Sequence, residues 1–361
     1  MSRRPIIIAL VVASALACRP VAPRTSTDSS TSSTPAAPFA SPPSTTPAAI
    51  ALTTVANVRR GDRVPNTLGR IPILEYHLIG QQEGRWERHY EAFRRDLELL
   101  YARGYRPISI SQLVDGNIVL PAGLSPVVLT FDDASPSQFR YIERDGRLEI
   151  DSTTAVGVWL NFRRTHPDWS NKAVFCLLSG AAAGRSFFGD RDIEGQKTAW
   201  RLQKVRFLAE QGFELCSHTL WHANLSKYSD DEVQEQIARN VMAIDSAVPG
   251  YRVRTFALPL GAWPKNHDLA RAGSWKDPRS GRTIEYRFDA ILLVAGNPVR
   301  SPRDSLFDAT RLERIQVVDG ALAHMLDNLD RSGNRYVSDG SGLRIAPATA
   351  GDAARRATAP R

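Results

Sequence analysis

Short apolar runs alternate along this chain with longer segments whose apolar residues recur at helical spacing. Residues 71–77 are the first predicted strand, with His77 at its carboxyl end. Residues 90–103 follow as a helix, with Phe93, Leu97, Leu99 and Leu100 at helical spacing and Gly104 as its stop. Leu113 and Val114 fall in a second, short helix. Residues 127–133 form an apolar, β-branched run that ends in two adjacent carboxylates, Asp132 and Asp133. The stretch 134–171 is longer than a simple crossover needs, and residues 151–164 are its predicted helix, with Val156, Val158, Trp159 and Phe162 inward. Residues 172–178 predict a third strand. Residues 180–195 are rich in glycine, carry Phe187 and Phe188, and predict a loop over the strand ends. Residues 198–211 predict a helix with Leu202, Val205 and Leu208 on one face, closed by Gly212. A fourth strand ends at His218. Ser229 and Glu232 make a capping box for a helix reaching about residue 246. Residues 254–258 predict a fifth strand leading into Pro259-Leu260-Gly261, and residues 263–272 a helix. Residues 289–294 and 314–317 are the sixth and seventh strands, and residues 321–329 the last helix.

Seven strands alternating with helices imply a parallel sheet with right-handed crossovers. Spacing alone does not separate a doubly wound sheet from a barrel. His77, Asp132, Asp133, His218 and the Pro-Leu-Gly turn all follow strand ends. They should converge on one face, where parallel α/β folds carry their chemistry.

The chain ends have a different texture. Residues 1–17 place Arg3 and Arg4 before an apolar run, the pattern of a signal peptide and too short to span a bilayer. Ala15-Leu16-Ala17-Cys18 resembles a bacterial lipoprotein cleavage site, with Cys18 as the lipidated residue. An exported protein anchored at the cell envelope is expected, or otherwise a secreted or periplasmic one. Residues 18–68 are rich in Ser, Thr, Pro and Ala and predict a flexible tether. The folded domain is expected over 69–340 and a disordered tail over 341–361.

Charge changes the picture little. The formal net charge is +8, but arginine is spread along the chain. Without a basic helix, a zinc finger or an aromatic RNA-binding signature, nucleic acid is excluded as the expected partner. A basic surface suits an anionic envelope. Cys176 and Cys216 lie in successive strands and could be neighbours, which leaves a pairing open, but they read first as two buried free thiols.

The chemistry is carried by two stretches. Asp is a common turn residue and paired His residues are often surface, so neither Asp132-Asp133 nor His218-x-x-x-His222 is decisive alone. One helical turn would put both imidazoles on the same side. Two His and one Asp suit a divalent ion with open positions, Zn²⁺ above all. Together, Thr130-Phe131-Asp132-Asp133, Ser217-His218-Thr219-Leu220-Trp221-His222 and Phe256-Ala257-Leu258-Pro259-Leu260-Gly261 resemble the first three motifs of the polysaccharide deacetylases, the NodB-homology proteins of carbohydrate esterase family 4.

The resemblance spans about residues 71–318 and implies a distorted, incomplete (β/α)7 barrel. It implies Asp133, His218 and His222 as ligands of one divalent ion, zinc first and cobalt, nickel or manganese as alternatives. It implies Asp132 as general base, the Leu260 N–H as oxyanion donor, and a loop-steadying role for the Thr219 hydroxyl. The implied reaction removes acetyl groups, chiefly N-acetyl, from an acetylated amino-sugar polysaccharide. An O-acetyl esterase of the xylan type and a non-catalytic glycan-binding protein are the alternatives. The membrane enters only through the anchor at Cys18.

The sequence departs from the family in two places. Ala257 stands where an Arg commonly orients the base, which leaves open what holds Asp132. After the seventh strand the only His is His324, within a helical pattern. The Tyr76-His77 pair matches a branch in which the first-strand His is the general acid, so His77 takes that role. Trp221 and Trp263 flank the motifs as candidate sugar-stacking residues, with core packing as the alternative. Glu75 reads as a plain strand residue.

Overall fold

The computed structural model describes residues 63–180, 186–294 and 296–342. The predicted signal segment, Cys18 and nearly all of the predicted tether lie outside these residues, as do residues 181–185 of the glycine-rich loop and the predicted tail beyond residue 342.

Eight strands make the main sheet: β1 (Ile73–Tyr76), β2 (Tyr105–Pro107), β3 (Ser125–Asp132), β4 (Val174–Leu177), β5 (Glu214–Ser217), β6 (Thr255–Ala257), β7 (Ala290–Leu292) and β8 (Ile315–Gln316). Their order is β7-β6-β5-β4-β3-β1-β8, every pair is parallel, and β2 pairs with the start of β3. The sheet curls until Leu292 of β7 bridges Leu312, just before β8. This is the incomplete seven-stranded barrel that the motifs imply, with β2 as an extra short strand. The helices α1 (Tyr90–Ala102), α3 (Ala155–Thr165), α4 (Arg201–Glu210) and α5 (Asp230–Ala247) pack outside it, after a short α2 (Ile110–Val114), and α6 (Ala321–Arg331) ends the domain.

Strand alternation divides the interior in two. Leu74, Tyr76, Leu129, Phe131, Phe175, Leu215 and Phe256 belong to the larger buried cluster, with Phe93, Leu97, Trp159, Val205 and Ile237 of the helices. Each such side chain contributes roughly 1.5–3 kcal/mol of burial. Ile73, Val128, Val174, Cys176, Cys216, Ala257 and Leu292 make a second cluster on the other face of the sheet.

Four expectations are corrected. Cys176 and Cys216 are not free thiols: they face each other in the β4–β5 register and form a disulfide. Register is set by the whole sheet and cannot be read from two isolated strands. Residues 263–272 are not one helix. Asn266 caps a single 3-10 turn, His267–Ala270, and the chain then alternates as a strand, Ala272–Lys276, paired with Thr283–Arg287. Gly273 permits that pairing, because a Cβ there would stand 2.4 Å from the Tyr286 hydroxyl. The long crossover of residues 134–171 holds a hairpin, Tyr141–Arg144 with Arg147–Ile150, turned by Asp145 and Gly146 at positive φ. Leu202 faces outward from α4, whereas Val205 and Leu208 are buried. The capping box of α5 is present: Glu232 N–H donates to Ser229 Oγ at 3.4 Å, and Ser229 N–H to Glu232 Oε2 at 2.8 Å.

Candidate active site

Period-two alternation carries polar residues up one face of the sheet. Glu75 and His77 follow Ile73 on one strand, Thr130 and Asp132 follow Val128 on another, and His218 follows Cys216. Adjacent residues of a strand point to opposite faces, so Asp133 would turn away from Asp132 if β3 continued. Instead Asp133 and Ala134 take φ of 79° and 49°, and both carboxylates line one cavity. Left-handed backbone at non-glycine residues costs on the order of 1 kcal/mol or more each. Thr219, His222 and Leu260 share it, at φ of 70°, 58° and 59°. The turns that carry the polar groups are thus strained.

His218 and His222 do not share a helical turn, as their spacing suggested. They sit on a loop after β5, with ring centroids 4.9 Å apart. The Thr219 hydroxyl accepts from Ala223 N–H at 3.4 Å, which steadies this loop. Asn240 of α5 also holds it, donating to the carbonyls of Thr219 and Leu177 at 2.8 Å each.

The donor set fits a metal ion. His218 Nδ1 lies 2.9 Å from the Ala257 carbonyl, which can only accept, so Nδ1 carries the proton. The Nε2 lone pair then faces Asp133 Oδ1 at 3.5 Å, and His222 Nε2 lies 3.5 Å from the same oxygen. One ligand atom from each residue falls within 4.8 Å of the others. A backbone carbonyl fixing the far nitrogen of a histidine is the usual support for a metal-binding imidazole. Burial opposes charge on His218, and Asp132 and Asp133 override it, so its pKa is raised.

What holds Asp132 is Arg314. This fully buried guanidinium donates to Asp132 Oδ1 at 2.7 Å and Oδ2 at 2.8 Å, and to the Leu293 carbonyl at 2.8 Å. Its Nη2 lies 2.7 Å from Glu75 Oε1. Glu75 is therefore not a plain strand residue but one member of a buried ion-paired triad with Arg314 and Asp132. Burial raises the Asp132 pKa, but Arg314 and His218 outweigh it and hold this carboxyl well below the usual range. Glu75 shares the same cation from one side only, and burial pushes it up to about 7. Glu75, His77 and Asp132 form a second close cluster of ligand-type atoms, but Arg314 already pairs with both of its carboxylates.

His77 closes another side of the cavity. Burial lowers its pKa, against the opposing pull of Asp132 and Asp133. Its carbonyl accepts from Gln138 Nε2 at 2.6 Å, and Gln138 also donates to the Asp132 carbonyl, clamping the ends of β1 and β3 together. The Trp86 ring packs edge-on against His77, with centroids 4.7 Å apart. Leu260 sits at the rim, 61% exposed, in a 3-10 turn entered by Pro259. Its N–H, near the start of that turn, has no acceptor within it. The cavity measures about 610 Å³ and is lined by Glu75, His77, Arg85, Trp86, Asp132, Asp133, His218, His222 and Leu260, with Leu78, Leu258 and Val294.

Six of the eight candidate residues therefore meet in one cavity, and two do not. Trp221 is 52% exposed and packs under Arg239, while Trp263 leans on His267; neither lines the cavity. His324 lies on α6 in a separate groove with Arg70 and Asn328. Sequence reasoning missed Arg314, Gln138, Asn240 and Trp86. Only Arg314 left a signal: Ile315 packs against the outer cluster, so alternation turns Arg314 and Gln316 the other way.

Residues 151–274 match the family model described as polysaccharide deacetylase. That segment includes His218, His222 and Leu260, while Asp132 and Asp133 precede it and are joined to it by the fold. A chitooligosaccharide deacetylase of Bradyrhizobium sp. (strain ANU 289) is 27% identical over 202 residues, which covers 51% of this chain and 89% of that protein. Among solved structures, the Streptococcus pyogenes deacetylase PplD, in complex with acetate, superposes with a TM-score of 0.50 at 17% identity, over 74% of this chain and 99% of that one. A Bacillus cereus polysaccharide deacetylase superposes with a TM-score of 0.50 at 14% identity, over 73% of this chain and 69% of that one. These two likenesses concern the fold. The matched segment, the curled parallel sheet and the motifs at its strand ends make this chain similar to the polysaccharide deacetylases of the NodB-homology type.

Proposed function

We propose that this protein is a metal-dependent hydrolase that removes N-acetyl groups from an amino-sugar polysaccharide. Deacetylation as such is supported by the matched family and by the chitooligosaccharide deacetylase it resembles. The observation that carries the finer reading is the convergence of an Asp-His-His donor set on one side of Asp132, while Arg314 grips its other side.

Asp133, His218 and His222 would hold the ion. When bound, a divalent ion there would lower the pKa of water to about 7 and polarise a carbonyl. Asp132 takes the proton of the attacking water, and Arg314 keeps that carboxylate ionised and aimed. The Leu260 N–H donates to the carbonyl oxygen as negative charge develops on it. His77 gives a proton to the departing nitrogen, which leaves as a free amine while acetate forms. The part that Ala257 cannot play is supplied by Arg314, just before β8, which favours an active enzyme over a binding protein that kept the fold. Export, with a lipid anchor at Cys18 and the tether of residues 18–68, belongs to the same proposal, because it would place the domain beside envelope polymers.

Acetate release from N-acetylated and O-acetylated glycans by the zinc-loaded protein tests this. Release from N-acetylated amino-sugar polymers is expected. Release only from O-acetylated glycans, or from none, would overturn it.

A further inference from the structure

The cavity has a rim that the reaction does not use. Trp86 is 44% exposed and meets His77 at one edge. Arg85 lies beside it, with its guanidinium carbon 5.1 Å from the Trp86 ring centroid. The backbone of this pair is tied down from two sides. Leu78 N–H, next to His77 in the chain, donates to the Trp86 carbonyl at 2.9 Å, and the Gln316 amide of β8 donates to the Arg85 carbonyl. The pair is therefore registered to the strands that present His77 and Arg314.

Its charge is uncommitted. Among the described residues no carboxylate lies within 4.0 Å of the Arg85 guanidinium. Arg88, on the same segment, is fully engaged, with Asp96 at 2.7 Å and Glu83 at 2.5 Å. A guanidinium laid on an indole beside a reaction cavity is pre-organised for an incoming planar oxyanion, which its fork meets with two parallel hydrogen bonds. The indole offers an aromatic surface to the apolar face of a sugar ring.

We propose that Arg85 and Trp86 form a substrate platform that selects an anionic glycan, one whose amino-sugar chain carries a carboxylate on the reacting sugar or its neighbour. The proposal rests on the deacetylase reading and narrows its substrate class. Trp86 packs on the sugar and Arg85 pairs with the carboxylate. The net charge of +8 adds long-range attraction for such a polymer. Because the rim is open to solvent, the selectivity is moderate and weakens with salt.

The test uses the full chain, zinc-loaded, as the Asp132→Asn variant, so that ligands bind without turnover. Calorimetry compares a neutral N-acetylglucosamine oligomer with one of equal length bearing a carboxylate on alternate sugars. The carboxylate oligomer is expected to bind about fivefold more tightly or better at low salt, on the order of 1 kcal/mol. The ratio should fall towards one at high salt or on adding Arg85→Gln, and adding Trp86→Ala should weaken both ligands. No preference, or one that survives Arg85→Gln, would overturn the proposal. Acetate release by the unsubstituted protein is measured on the same oligomers. A preference that follows Arg85 without any acetate release would leave this platform standing and refute the deacetylase reading alone.

Discussion

The guanidinium of Arg314 grips both carboxylate oxygens of Asp132 although their strands are not neighbours. It reaches across β1, where Glu75 provides its second anion. Two carboxylates thus share one buried cation, and the bidentate bond favours the ionised form of Asp132. Removing the cation outright would strand two buried carboxylates and cost roughly 3–5 kcal/mol of stability. Arg314→Lys is the better probe, because it keeps a charge but loses the planar fork. We expect kcat to fall on the order of 10–100-fold with unchanged metal content. Asp132 should also lose part of what holds its pKa down, so the acid limb of the kcat/KM profile should move to higher pH. Wild-type kcat with an unmoved acid limb would show that Arg314 only fills space.

The proposed metal ligands make the second prediction. Asp133→Ala and His218→Ala should each abolish tight binding of one divalent ion, since each deletes a donor of a set lying within 4.8 Å. Elemental analysis of the purified variants measures this. Full occupancy in both would remove the site.

His77 and His324 are separated by place. His77 lines the cavity, whereas His324 lies on α6 in another groove. His77→Ala should fold and bind metal but lose amide turnover, and lose far less on an activated ester, whose leaving group needs no proton. His324→Ala should match the parent on both substrates. Parallel kinetics on the two substrates decide it, and a crippled His324→Ala would reverse the assignment.

Most of the fold was legible because strand and helix periods differ and because three of the strands run into His77, Asp132-Asp133 and His218. The Asp133, His218 and His222 cluster and Asp132 were legible for the same reason: adjacent acids at a strand end, and histidines four apart, have few structural uses in combination. What escaped depends on register. The Arg314 bond to Asp132, the clamp by Gln138 and the pairing of Cys176 with Cys216 all join segments distant in sequence. Trp221 and Trp263 attracted attention by adjacency to motifs, but the loops turn them out of the cavity, while Trp86 reaches it from a stretch with no motif. The bend of Ala272–Lys276 into a hairpin likewise depends on a partner strand.

The disulfide makes a fourth prediction. It links β4 to β5 across a separation of 40 residues, directly below His218. The double variant Cys176→Ala/Cys216→Ala should be about 2–4 kcal/mol less stable. Reductant should lower the Tm of the parent domain and leave that of the double variant in place. Two titratable thiols at these positions in the unfolded, unreduced protein would contradict the pairing.

The most direct measurement pairs metal content with acetate release in Asp132→Asn. Asn cannot accept a proton, yet it keeps the size of the side chain and leaves Asp133, His218 and His222 untouched. The division of labour between the two adjacent carboxylates predicts full metal occupancy and a loss of release on the order of 100-fold or more. Near-normal release, or loss of the metal together with activity, would contradict it.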